Sequence, residues 1–207
     1  MSQQTKTNPP LSGTTLTAIE SLGVQRKVDL ASYVPVKDIR GASKLKSVLW
    51  YATSLLFFRS YFFPFYKIKS LLLRMFGAKV GLGLVIKPNV NIKYPWKLSI
   101  GNNCWIGEEV WIDNLAQVTI DNNVCISQGA MLLTGNHDFS KVTFNLITRS
   151  IHLEDGVWIG AKAMVCPGVT CKSHSILSVM SVATKDLVSY TLFQGNPAQP
   201  IKHRAVY

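Results

Sequence analysis

Residues 100–132 read IGNNCWIGEEVWIDNLAQVTIDNNVCISQGAML, and every sixth position is aliphatic apart from one slip of two residues. The column runs Ile100, Ile106, Ile112, then Ile120, Ile126 and Leu132. Working outward, it starts earlier at Val80, Ile86 and Ile92, and it resumes later at Leu153, Ile159, Val165, Cys171, Leu177 and Ala183. A six-residue period is the sequence signature of a parallel β-helix built from hexapeptides. Each hexapeptide supplies a short strand and a corner, three close one triangular coil, and the aliphatic residues stack along the shaft. Compact residues four places further on, among them Val90, Cys104, Val110, Ala116, Val124, Ala130, Val157 and Ala163, fit the same interior. Gly81, Gly101, Gly107 and Gly160 follow the aliphatic residue directly, where the pattern predicts a turn with positive φ. A doubly wound α/β fold needs helical patterns of ten or so residues between strands, and this region has none. The chain is therefore all-β in its body, a parallel β-helix.

The irregularities point to the chemistry. Two residues are inserted between Ile92 and Ile100, two between Ile112 and Ile120, and fifteen between Leu132 and Leu153. With three hexapeptides to a coil, these insertions fall at one corner of three successive coils. Corner insertions gather on one face of a solenoid, and long loops on a rigid scaffold carry function. The long insertion holds Thr134-Gly135-Asn136-His137-Asp138-Phe139, while Trp96, Asp113 and Asn114 lie in the short ones.

The segments Gly77-Ala78-Lys79-Val80-Gly81, Tyr94-Pro95-Trp96-Lys97-Leu98, Thr134 to Asp138, Asp155-Gly156-Val157-Trp158-Ile159-Gly160, Val165-Cys166-Pro167-Gly168-Val169, Thr184-Lys185-Asp186 and Gly195-Asn196-Pro197-Ala198 resemble the hexapeptide-repeat acyltransferases. Within them the chain is most similar to the colanic-acid-biosynthesis acetyltransferases, relatives of the galactoside and maltose acetyltransferases. The resemblance covers about residues 40–205. It implies a left-handed β-helix, a homotrimer, and acetyl-CoA held in a groove between adjacent subunits as acyl donor, with no metal required. It also implies an O-acetyltransferase acting on a sugar hydroxyl of a polysaccharide precursor or glycolipid, the acceptor being lipid-linked in such pathways.

By the same resemblance His137 is the general base that takes the acceptor's proton. Imidazole suits the task, because much of it is free base near neutrality and base catalysis contributes about 10²–10⁴-fold. Asn114 matches the corner where related enzymes hold their acceptor, with Asp113 and Asp138 as neighbouring carboxylates. Trp158, Ala161, Ala163, Thr184 and Lys185 match positions that line the thioester and pantetheine, and Lys202 and Arg204 are candidates for the CoA phosphates. Two departures stand out. Gln199 replaces the arginine that often follows the Pro-small pair, and Lys172-Ser173-His174 replaces a glycine-rich turn, which makes His174 a corner residue. His152 reads as a loop-closing contact and His203 as part of a basic tail. A γ-class carbonic anhydrase would need three converging histidines, and the spacing does not supply them.

Composition agrees with one repeat domain. Cys104, Cys125, Cys166 and Cys171 form no Cys-x-x-Cys pair, and read as reduced thiols of a cytoplasmic protein. The chain carries a net charge of +11, concentrated before residue 81. The first sixteen residues are polar, lack the apolar core of a signal peptide and are expected to be mobile. Four regions follow from this: 1–40, a flexible polar segment; 41–79, a basic amphipathic helical appendage; 80–187, the β-helix with its loop at 133–152; and 188–207, a tail.

In the appendage, Leu45, Val48, Leu49, Ala52, Leu55, Leu56 and Phe58 form a helical stripe, ended by Pro64. A second helix over about 65–76 carries Ile68, Leu71, Leu72 and Met75, with Gly77 as its C′ residue. Neither is long enough to span a bilayer. The pair predicts either contact with an anionic membrane surface at the inner face of the cytoplasmic membrane or packing against the first coil or a neighbouring subunit. Charge alone suggests a nucleic-acid binder, but the aromatics sit on apolar helix faces and exclude it. The remaining alternative to an enzyme is a trimeric β-helix scaffold docked at a membrane, for which His137 would be dispensable.

Overall fold

The computed structural model describes residues 27–207. The body is a left-handed β-helix of about six turns. Its three faces are parallel sheets. Face A holds strands beginning at Lys79, Leu98, Val118, Ile151 and Thr170. Face B holds those at Val85, Trp105, Cys125, Trp158 and Ile176, and face C those at Asn91, Trp111, Met131, Met164 and Val182. Equivalent residues stack in register, as Ile86 pairs with Ile106, Ile106 with Ile126 and Ile126 with Ile159. The aliphatic column lies in the shaft, with Ile86, Ile106, Ile112, Ile126, Leu132 and Ile159 essentially inaccessible to water. Burial on this scale, at about 25 cal/mol per Å² of apolar surface, holds together strands of only two or three residues.

The corners follow a stricter rule than the glycines suggest. Positive φ recurs three places after the shaft residue, at Gly83, Asn89, Asn103, Glu109, Asn123, Gly129, Gly156, Lys162, Gly168, His174 and Met180. His174 is thus a corner residue, as expected. Gly81, Gly101, Gly107 and Gly160, by contrast, do not have positive φ. They are glycines because the next coil passes too close: a Cβ on Gly81 would lie 2.6 Å from the backbone of Gly101, and one on Gly160 2.6 Å from Val179 N. Ala116 also departs from the pattern and is half-exposed, since the insertions let Leu98, Val118 and Ile151 fill the shaft at that corner instead.

The appendage caps the N-terminal end. Helix α1 spans Lys44–Thr53, with the Ser43 hydroxyl accepting from Lys46 N, and runs into a π-turn at Ser54–Phe58. It ends there, before Pro64. Helix α2 spans Tyr66–Met75 and closes on Gly77, whose φ of 99° allows Gly77 N to donate to Arg74 O and Ala78 N to Leu73 O. Trp50, Phe58 and Leu73 plug the shaft.

In every later coil the carbonyl of the shaft residue accepts from the coil before it, as Ile106 O does from Lys87 N. The first coil has no predecessor. There Arg74 donates to Val80 O, Lys69 to Ile86 O at 3.3 Å, and Trp50 Nε1 to Ile92 O at 2.9 Å. One side chain thus completes each of the three faces. At the far end Thr191–Gly195 joins face B and is covered by the antiparallel strand Ala198–His203.

The expectation of a mobile segment over 1–16 falls outside the described residues. Residues 27–40 run along the body. Asp29 N donates to Val142 O at 2.9 Å, and the carbonyls of Ile39 and Arg40 accept from Lys97 Nζ and Trp96 Nε1.

Candidate active site

All three insertions leave the corner between faces C and A. The long one is rooted by Thr134, which is fully buried: its hydroxyl donates to Asp113 O at 2.8 Å and accepts from Ala116 N at 3.0 Å. From that root the chain forms an antiparallel hairpin, Gly135–His137 against Leu146–Thr148, with His137 opposite Leu146. Gly135 leaves room here for the Leu115 side chain, whose Cδ1 would lie 2.6 Å from an added Cβ.

His137 sits half-exposed at the end of the hairpin. Its ring stacks on Phe144 with centroids 4.4 Å apart and planes 6° from parallel, and Tyr33 of the N-terminal segment lies 6.2 Å away. Nδ1 is 2.7 Å from Phe144 O. A carbonyl only accepts, so Nδ1 carries a proton, and in the neutral imidazole the lone pair is on Nε2. Phe144 itself has φ of 48°, a left-handed conformation uncommon outside glycine, which turns its carbonyl toward the imidazole.

The three residues expected to hold the acceptor are committed to the scaffold. Asn114 is wholly buried: its Oδ1 accepts from Tyr94 N, and its Nδ2 donates to Tyr94 O at 2.6 Å and Lys97 O at 3.1 Å. It ties one short insertion to the next and faces no solvent. Asp113 is buried beside it and paired with Lys93 at 2.8 Å. Asp138 folds into its own turn, accepting from the Ser140 hydroxyl and lying 3.4 Å from Lys141 Nζ. The Ser140 hydroxyl is the main reason its carboxyl is held below the usual range. None of these carboxylates orients His137.

The residues assigned to CoA separate into two groups. Trp158 is 45% exposed on the outside of face B, its Nε1 donating to Ser127 Oγ at 2.9 Å. Ala161 is half-exposed at the next corner, Thr184 and Lys185 are exposed at the C–A corner of a later coil, and Lys202 is exposed on the last strand. Ala163 and Arg204 behave differently. Ala163 is buried in the shaft, with its N–H bonded to Gly160 O and its carbonyl to Met131 N. Arg204 Nη1 donates to Gly156 O at 2.9 Å and His174 O at 3.1 Å, fastening the C-terminal strand to the body.

His152 pairs with Asp121 at 2.8 Å on face A, a scaffold contact. Cys166 occupies the C–A corner of the coil after the long loop, but burial pushes its thiol up, as it does for Cys104, Cys125 and Cys171. No three His, Cys, Asp or Glu among the described residues converge as a metal site. Sequence reading missed Phe144 and Tyr33. A backbone carbonyl leaves no signal in a sequence, and Tyr33 lies outside every repeat.

No protein-family model matches the chain. WcaF of Escherichia coli (strain K12), assigned as a colanic acid biosynthesis acetyltransferase, is 35% identical over 176 residues, spanning 85% of this chain and 97% of that protein. The galactoside O-acetyltransferase of the same organism is 30% identical over 139 residues, 66% of this chain and 68% of that one. In fold, the chain matches a hexapeptide-repeat-containing acetyltransferase of Vibrio cholerae O1 biovar eltor, crystallised with acetyl coenzyme A, at a TM-score of 0.72 and 24% identity over 80% of this chain and 92% of that one. A stacked hexapeptide shaft, a histidine hairpin at one corner and similarity to WcaF over 85% of this chain agree: the chain belongs to the hexapeptide-repeat acetyltransferases.

Proposed function

We propose that the protein transfers acetyl from acetyl-CoA to a hydroxyl of a saccharide, with His137 as general base. The observation that carries this reading is the Nδ1 contact with Phe144 O, which leaves Nε2 as the acceptor of a proton. The acceptor hydroxyl oxygen attacks the thioester carbonyl as Nε2 takes its proton, the C–S bond then breaks, and the proton passes to the departing CoA thiolate. No acyl-enzyme is involved, and the raised thiol pKa values argue against a cysteine nucleophile. WcaF's assigned role supports a polysaccharide precursor or glycolipid as acceptor, and the four free cysteines fit a cytoplasmic setting.

A homotrimer completes the site. In a triangular prism the C–A corner, which bears His137, lies opposite face B, which bears Trp158. The two come together only where face B of one copy meets the histidine corner of another. Trp105, 62% exposed on the same column as Trp158, marks face B as an apolar strip available for that contact. In this arrangement Trp158 and Ala161 line the donor thioester, and Thr184, Lys185 and Lys202 contact the rest of the cofactor. Tyr33, beside His137, offers a ring face to the acceptor.

The test is to incubate purified protein with acetyl-CoA and a thiol reagent, with and without a panel of sugars. Release of free thiol that depends on one sugar class, together with the acetylated product, is expected. No release with any saccharide, in a folded protein that binds acetyl-CoA, would leave a scaffold as the better reading.

A further inference from the structure

Both cap helices carry a second, exposed apolar surface besides the one that plugs the shaft. On α1 the apolar stripe Leu45, Val48 and Leu49 is exposed, while Ser47, Trp50 and Ser54 turn toward the shaft. On α2, Ile68, Leu71 and Met75 are exposed, the last at 69%, and Lys69 and Ser70 are buried. Phe62, in the link between them, is 96% exposed. The inward polarity has a cause already described, since Lys69 must complete the face-B sheet. The outward apolar surface has none within this chain. Because the buried sides of both helices meet the first coil, their opposite sides face away from it along the shaft. Exposed apolar side chains gathered on one end of a molecule mark a contact site.

Charge identifies what covers it. Residues 39–97, which form the cap and the first coil beneath it, contain 11 Lys or Arg and no Asp or Glu, and the acidic group that reaches the cap link is Glu109 of the second coil, which accepts from the Tyr61 hydroxyl at 2.9 Å. Lys44, Arg59 and Lys67 are exposed among the apolar side chains. A second copy of the same face would bring cation against cation. We propose that the end of the cap docks on an anionic phospholipid bilayer, its Leu, Ile, Phe and Met side chains entering the acyl boundary and its lysines and arginine meeting lipid phosphates. The contact is peripheral, for no described helix is long and apolar enough to cross a membrane.

Docking does not depend on the activity proposed above, but one consequence does. The His137 hairpin leaves the third coil, about 10 Å along the shaft from the first at the usual strand spacing. A docked protein therefore holds that hairpin within reach of a saccharide carried on a membrane lipid.

The experiment is co-sedimentation of the full-length protein with phosphatidylcholine vesicles, with and without phosphatidylglycerol, at low salt. Binding is expected only with the anionic lipid, and it should weaken as salt rises. Leu49→Glu or Leu71→Glu should each lower the partition coefficient on the order of tenfold without changing the circular dichroism melt, because both side chains are exposed in the free protein. Lys44→Gln with Lys67→Gln should lower it about 30-fold. The proposal fails if the wild type ignores phosphatidylglycerol vesicles, or if both Glu variants bind like wild type. It also fails if light scattering shows copies associating through this face in a manner that Leu49→Glu abolishes.

Discussion

A histidine acts as a base through one nitrogen, and the other decides which. Here Phe144 O fixes the proton on Nδ1 and the Phe144 ring holds the imidazole plane. His137→Ala should therefore leave a folded protein while lowering acceptor-dependent CoA release by about 10²–10⁴-fold; turnover near wild type would remove His137 from the chemistry. That His137 is a candidate base was readable from residue type, the long insertion and the family resemblance. Its orientation was not, because every residue has a carbonyl and only backbone geometry distinguishes this one. Asn114, Asp113 and Asp138 show the converse: polar residues at an insertion corner read alike whether they face a ligand or hold the corner together. In the sequence Lys69 is one of many cations before residue 81, yet it is fully buried, donates to Ile86 O and Lys87 O, and burial lowers its pKa from 10.5 to about 8. Between those values the unfolded chain keeps a proton that the native state has lost, so raising the pH across that window should favour the native state. Urea unfolding of wild type and Lys69→Met should thus give a stability difference that moves in favour of wild type from about pH 8 to 10.5. A difference that stays flat would contradict the assignment.

At the level of elements, the period of six set the strands, their register and the corner that carries the loop. That much follows from the shaft's need for a stacked aliphatic at each position. Ile106→Asp or Ile126→Asp would place an unpaired carboxylate in that column, at a cost on the order of 5 kcal/mol, enough to unfold a domain of ordinary stability. Thermal melts of either variant should show an unfolded or strongly destabilised chain, and a wild-type melt would mean that the register is wrong. The glycines were legible as necessary but not for the right reason, because coil-to-coil clearance depends on the neighbouring turn and local sequence does not contain it. The helices were legible as amphipathic, yet which side faces the body was not. Hydrophobic periodicity assumes that the apolar side is the buried one, and Arg74, Lys69 and Trp50 override that assumption where three open carbonyls need donors.

At the scale of the whole molecule, the prism carries its histidine on one edge and Trp158 on the facing side, so under the proposed function one copy holds half of a site and the proposed trimer would complete three. The shaft has a second property that belongs to no single residue. Each coil turns a ladder of carbonyls toward the coil before it, so the first coil presents an unfilled ladder that could act as the growth front of a fibre, and nothing in the repeat itself dictates where elongation stops. The N-terminal helices stop it by supplying an indole, an ammonium and a guanidinium in place of another turn of chain. Replacing all three at once, with Trp50→Phe, Lys69→Met and Arg74→Met, should expose that front in the full-length protein. Concentration-dependent end-to-end assemblies are then expected by light scattering, and a variant that keeps the wild-type size at all concentrations would refute this. The appendage is in this sense a chain terminator: it makes a discrete enzyme out of a repeat whose own geometry favours a filament.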